Sequence, residues 1–388
     1  MLGSIWNFVK RHRRKFLVLG AVAGGASLLY KYAEWKLKEW RETEEAECLA
    51  MARRAHHFES NQRTCNMTVL SMIPKLRELL LYHLNSEELI QKLKSGTENK
   101  VVVWNELKVV SFTRMVVSVY STVLLTAFLR VQLNILGGYM YLDTLAGKNG
   151  LTYYQVHATQ DVQKEYLAMV QYLLTDGLTE LINHVREVVQ NVVGSISLQQ
   201  LLSLSDMEEI IAKVRGQVET TQYGGEVMVP DCSIHPLGRY LLKPEGLDGE
   251  ESACRLSDDQ LVLSQMQIET RDLVESHDFS CVMNSCLDIG FSRLLDNMAE
   301  FFRPVTTRNG ESPCGLKLAM AKAIPIVNGQ VNALCCDTPN HFIQELLLMQ
   351  CVKDFASNVY EGFSQPPAHE ERNGDVRSPN ENGSAERI

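Results

Sequence analysis

One stretch limits what this chain can become. Lys100 to Tyr139 reads KVVVWNELKVVSFTRMVVSVYSTVLLTAFLRVQLNILGGY. From Val109 to Leu129 apolar side chains fall on every side of a helical projection, which suits either the axis of a large helical protein or a membrane span. Arg114 and Arg130 leave only fifteen uncharged residues between them. At 1.5 Å per residue that is roughly 22 Å, short of a hydrocarbon core about 30 Å thick. Ser118, Ser121, Thr122 and Thr126 dilute it further, so a buried central helix is expected. A strand would suit the many valines, but no turn signal interrupts the run before Gly137-Gly138, where the helix is expected to stop. Trp104 stands apart from the rest: with Lys100, Asn105, Glu106 and Lys108 as neighbours, its part of the helix is polar on one side.

The flanking pattern is helical as well. Glu34 to Leu84 reads as one long helix or two in line, sparse in apolar residues at first, with Pro74 expected to kink or break it. Asn85 and Glu88 have capping-box spacing for a short helix that Gly96 ends. Residues 140 to 160 read as a loop. Asp161 to Val193 repeats apolar residues at three and four, and Ser205 or Asp206 should cap a weaker helix after it. Tyr223 to Cys254, crowded with Gly and Pro, reads as a long mobile loop. Helices resume near Ser257, at Phe279 to Phe302, and at Leu316 to Cys336 with an interruption at Pro325. Thr338 before Pro339 should cap the last one, which runs to Gly362. The tail from Pro366 lacks apolar content and is expected to be disordered. The fold class is therefore all-α: a single large helical bundle around a long central helix, spanning 34–365.

The N-terminus is a separate matter. KRHRRK at 10 to 15 precedes fifteen uncharged residues, Phe16 to Tyr30. A cleaved signal peptide shares this plan. The segment runs on into charged helix without a break, however, so an uncleaved anchor over 16–33 behind a basic segment at 1–15 is preferred. Gly20 and Gly24 form a GxxxG, a weak cue for helix pairing. The basic run has anionic headgroups as its simplest partner.

Chemistry is hard to find. The net charge of −9 argues against a nucleic-acid partner. No nucleophile elbow, HExxH, phosphate loop or paired Cys/His spacing occurs, so no catalytic site, metal or cofactor is expected. Asp176, Glu180 and Glu187 share a helix and read as a solvated face. The ten cysteines read as free thiols in a reducing compartment. Cys48, Cys65, Cys281, Cys286 and Cys351 are expected to be small buried residues, with vicinal Cys335-Cys336 the oddest pair.

Seven blocks carry a resemblance: FESNQRTCNMTVLSM (58–72), SFTR (111–114), RVQLNILGGYMYLD (130–143), DGLTELI (176–182), GFSRLLDNMAEFFRP (290–304), IPIVNGQ (324–330) and VKDFASNVYEGF (352–363). With the basic start, they resemble the peroxisomal biogenesis factor 3 family. The resemblance implies a peroxisomal membrane protein whose helical domain faces the cytosol and docks peroxisomal biogenesis factor 19, an import receptor for peroxisomal membrane proteins. The partner's N-terminal amphipathic helix would lie in an apolar groove, with Trp104 central and Leu93, Lys100, Met140 and Lys322 around it. Lys10, Arg11, Arg13, Arg14 and Lys15 would serve targeting to the membrane and its lipids. The positive-inside rule would keep the basic end cytosolic; the resemblance implies the reverse.

Overall fold

The computed structural model describes residues 13–96, 99–149, 158–220, 235–244, 257–302, 316–336 and 340–365, with side chains from residue 27 onward and, in the central helix, up to residue 145. Lys10 and Arg11, the side chains of Arg13, Arg14 and Lys15, the Thr338-Pro339 cap and the tail lie outside these. The chain divides into two compact units, 1–67 and 68–388.

The described residues are overwhelmingly helical. Helix α1 (Arg13–His83) is followed by α2 (Ser86–Lys94) and the central α3 (Lys100–Asn149). Then come α4 (Gln160–Ala168), a π-helical turn (Leu173–Gly177) and α5 (Leu178–Val193). After α6 (Leu204–Val218), the helices α7 (Asp258–Val274), α8 (His277–Ala299), α9 (Met320–Leu334), α10 (His341–Leu348) and α11 (Gln350–Ser364) complete the second unit. A two-residue antiparallel ladder pairs β1 (Leu201–Leu202) with β2 (Leu318–Ala319), Leu201 opposite Ala319.

The central helix is the core. Its membrane-like apolar window is wholly buried. Packing covers it on every side, which is why its polar residues sit inside too. Ser121 and Thr126 donate to carbonyls one turn back, at Val117 and Thr122, so burial leaves those hydroxyls satisfied.

Several sequence expectations are corrected. The central helix does not stop at Gly137-Gly138, and 140–149 is helix rather than loop. Gly138 is there for packing: a Cβ on it would lie 2.6 Å from the Phe363 Cβ of α11 and 2.7 Å from its carbonyl carbon. Pro74 does not break α1, nor Pro325 α9. Each loses one backbone bond, and the buried residues beside it, Ile73 and Leu76 or Ala323, Ile324 and Val327, keep the helix on its course. Ser203, not Ser205 or Asp206, caps α6; its Oγ accepts from Asp206 N while the Asp206 carboxylate accepts from Ser203 N. Asn340 caps α10, and Met349 divides the last helix in two.

Within the stretch read as a mobile loop, Pro236–Tyr240 forms a 3₁₀ turn, and Leu237, Tyr240 and Leu241 are buried. Three apolar residues within five suffice to pin it to the core. Cys65, Cys286 and Cys335 are buried, but against expectation Cys48 and Cys281 are exposed and Cys351 is only half-buried.

Candidate functional site

The first turns of α3 begin where Gly96, at φ +82°, ends the connection from α2. On this stretch Lys100, Val103, Trp104 and Leu107 recur at i, i+3, i+4 and i+7, one face of a helix. Val103 and Leu107 are buried, Trp104 is half-buried and Lys100 is exposed. A half-buried indole on a helix face that also carries buried apolar residues is a usual hot-spot arrangement.

Two helices pack on α3, and buried Arg114 fixes both. Its guanidinium donates to Ser86 Oγ and to Glu87 Oε1 of α2, and to Asn328 Oδ1 of α9 at 3.1 Å. Since α2 runs antiparallel to α3, Leu93 falls two turns nearer the start of α3, level with Leu107. Helix α9 runs parallel: Asn328 meets Arg114, and Cys335 Sγ lies 3.5 Å from Thr122 Oγ1. Six residues before Asn328, Lys322 therefore falls level with Lys108. Leu93 is half-buried and Lys322 exposed.

The start of α9 is pinned without a side-chain cap. Met320 N donates to Gln200 O at 2.9 Å and Ala321 N to Leu198 O at 3.0 Å, satisfying amides that a helix start leaves orphaned. The connection that supplies these carbonyls is tied to α3 by Lys108, whose buried ammonium donates to Gly194 O at 3.1 Å and Ile196 O at 2.6 Å. Burial lowers the Lys108 pKa. A cation thus acts here as a structural clamp, and it sets the position of Lys322.

Four of the five expected contact residues, Leu93, Lys100, Trp104 and Lys322, therefore gather at one end of the central helix. Met140 does not. It lies on the same unbroken helix as Trp104, and the 36 residues between them span roughly 54 Å. Met140 is partly exposed, but no single groove of ordinary length holds both. The resemblance implied Met140 as a neighbour of Trp104; the unbroken length of α3 separates the two. Val103 and Leu107, buried on the same helix face as Trp104, were missed among so many valines and leucines, although their three-and-four spacing from Lys100 was visible.

A concavity adjoins the same helix start, away from Trp104. This cleft of ≈ 720 Å³ runs between Val102, Asn105, Glu106 and Val109 of α3 and Asn183, Arg186 and Gln190 of α5. Trp104 does not line it.

Among the described residues no cluster of His, Cys, Asp or Glu could hold a metal. Asp176, Glu180 and Glu187 are exposed, as expected of a solvated face. In the first unit Leu28, Leu29, Tyr30, Tyr32, Trp35 and Trp40 are each 59–71% exposed, a run of large apolar side chains without protein cover.

The sequence profile of the Peroxin-3 family matches residues 7–101 and 94–361. The chain is 52% identical over 372 residues to peroxisomal biogenesis factor 3 of Homo sapiens, covering 94% of this chain and 99% of that protein. Identity to the proteins of the same name from Mus musculus and Bos taurus is 51%, with the same coverage.

Proposed function

The chain belongs to the Peroxin-3 family, which places it in peroxisome biogenesis rather than in a known class of enzymes, and we propose that its part there is to dock an amphipathic helix of peroxisomal biogenesis factor 19 at the peroxisomal membrane. The observation that supports this reading is the half-buried Trp104 at the start of α3, on the helix face that includes buried Val103 and Leu107, with Leu93 and the cations of Lys100 and Lys322 at the same end. Such a face suits helix-in-groove recognition: apolar anchors spaced along one side of the incoming helix meet the indole, and carboxylates at its edge meet the lysines. The helical domain faces the cytosol in this reading, where the partner circulates.

The membrane half of the proposal rests on α1. After Arg13, Arg14 and Lys15 it carries the uncharged run Phe16–Tyr30, and Leu28 to Trp40 offer apolar and aromatic side chains to whatever surrounds them. Tyr and Trp are the residues favoured where a helix leaves a bilayer. Lys10, Arg11, Arg13, Arg14 and Lys15 would meet anionic headgroups.

Calorimetry with the partner's amphipathic peptide tests the docking site. Trp104→Ala should weaken binding by at least about 2 kcal/mol, roughly thirty-fold. Met140→Ala should leave it unchanged. Arg186→Glu, in the cleft between α3 and α5, is the discriminating control: a loss there beside a silent Trp104→Ala would move the site to that cleft.

A further inference from the structure

Helix α9 carries an outward stripe that continues from Lys322. Pro325, Ile326, Gly329 and Ala333 follow it at three and four. Beside the stripe, toward the end of α8, opens a cleft of ≈ 410 Å³ lined by Phe301, Pro325, Ile326, Gly329, Gln330 and Ala333 among others. Phe301, 53% exposed, forms its outer wall. A Cβ on Gly329 would meet nothing within 4 Å. The cleft is largely apolar, with Asn297, Glu300 and Gln330 as its polar members, and it is bounded by a large ring on one side and by Gly329 and Ala333 on the other.

Gln330 gives a second and independent sign. It is 4% exposed, and its Nε2 donates to Ile326 O at 3.1 Å. Among the described residues its Oε1 has no partner. A buried amide oxygen left unpaired is costly, and this one belongs to a residue that lines the cleft. Pro325 adds to this, having no N–H for the Ala321 carbonyl one turn back. Lys322 at one end of the stripe and Glu300 at the cleft give the surface opposite charges along its length.

We infer that the helix docked at Trp104 is held by a second subsite, the Phe301–Gly329–Ala333 cleft, which takes apolar side chains from the partner and a side-chain N–H or O–H donor onto Gln330. This inference rests on the docking reading above. The occupant is an amphipathic helix, not a small molecule, because the lining is a stripe continuous with Lys322 at helical spacing and has no charged group in its base. Its face carries apolar residues flanking one Asn, Gln, Ser or Lys, with acidic residues toward Lys322.

The test is the affinity of full-length peroxisomal biogenesis factor 19 for the detergent-purified full chain. Gly329→Phe fills the cleft from an open position, Phe301→Ser removes its wall, and Gln330→Leu removes the acceptor. The first two should each weaken binding at least ten-fold with the melting temperature held, and Gln330→Leu several-fold. If Gly329→Phe fails to fold, Phe301→Ser decides, since that ring is half in water. Unchanged affinity in the folded cleft variants beside a weakened Trp104→Ala overturns the subsite and leaves the docking reading standing. Unchanged affinity in Trp104→Ala overturns the docking reading itself; loss in the cleft variants alone would keep the cleft as the partner's seat.

Discussion

Two buried residues show how single side chains hold this protein to one arrangement. Arg114 joins three helices through one guanidinium, bonding Ser86 and Glu87 on one side and Asn328 on the other. Arg114→Ala leaves Ser86 and Asn328 without their donor inside a packed core, so a loss of about 3 kcal/mol or more in urea unfolding is expected. His235 works differently. Its Nδ1 accepts from Leu237 N and its Nε2 lies 3.2 Å from Asn284 Oδ1, so the neutral tautomer with the proton on Nε2 satisfies both. Burial lowers its pKa, outweighing the Asn284 bond that raises it. The unfolded chain then binds the proton first. The stabilising effect of the neutral ring is present above the ordinary histidine value of about 6.5 and fades as pH falls below it toward the lower folded value. His184, also lowered by burial and by Arg239, adds to the same slope. Unfolding titrations at pH 7 and pH 5 should show stability falling with acid, and His235→Gln should reduce that fall. An equal fall in the variant would remove His235 from the account.

At the scale of elements, helix crossings decide what glycines mean. Gly138 on α3 lies against Phe363 of α11, so Gly138→Ala must move backbone and should destabilise by about 1–3 kcal/mol. Gly216 on α6 is equally helical, yet a Cβ there meets nothing within 4 Å. Gly216→Ala should stabilise by up to about 1 kcal/mol through helix propensity alone. Thermal melts of the two variants should move in opposite directions. The same contrast explains why Gly137-Gly138 misled: a glycine pair is a turn signal only where nothing needs to come close.

For the molecule as a whole, thiol reactivity reports whether the core is intact. Cys48 and Cys281 are exposed, whereas Cys65, Cys286 and Cys335 are buried, and burial pushes the Cys286 thiol up to about 12 and Cys335 up to about 11. A thiol reagent should modify the first pair at once and the buried three only with unfolding; rapid labelling of all five would mean a loosened core. That the protein is all-α, that its central run is buried, and that Trp104 lies at a half-polar helix start can all be read from the chain. Each of these is a property of local spacing: hydrophobic period, length and charge placement survive without knowledge of neighbours. Where α3 ends, that Pro74 and Pro325 stay within helices, and that Lys322 falls at the Trp104 end of α3 while Met140 lies a helix length away emerge only from the folded chain. Those outcomes depend on which elements touch, and contacts between residues distant in sequence, such as Arg114 with Asn328 or Gly138 with Phe363, leave no periodicity in the chain to be read.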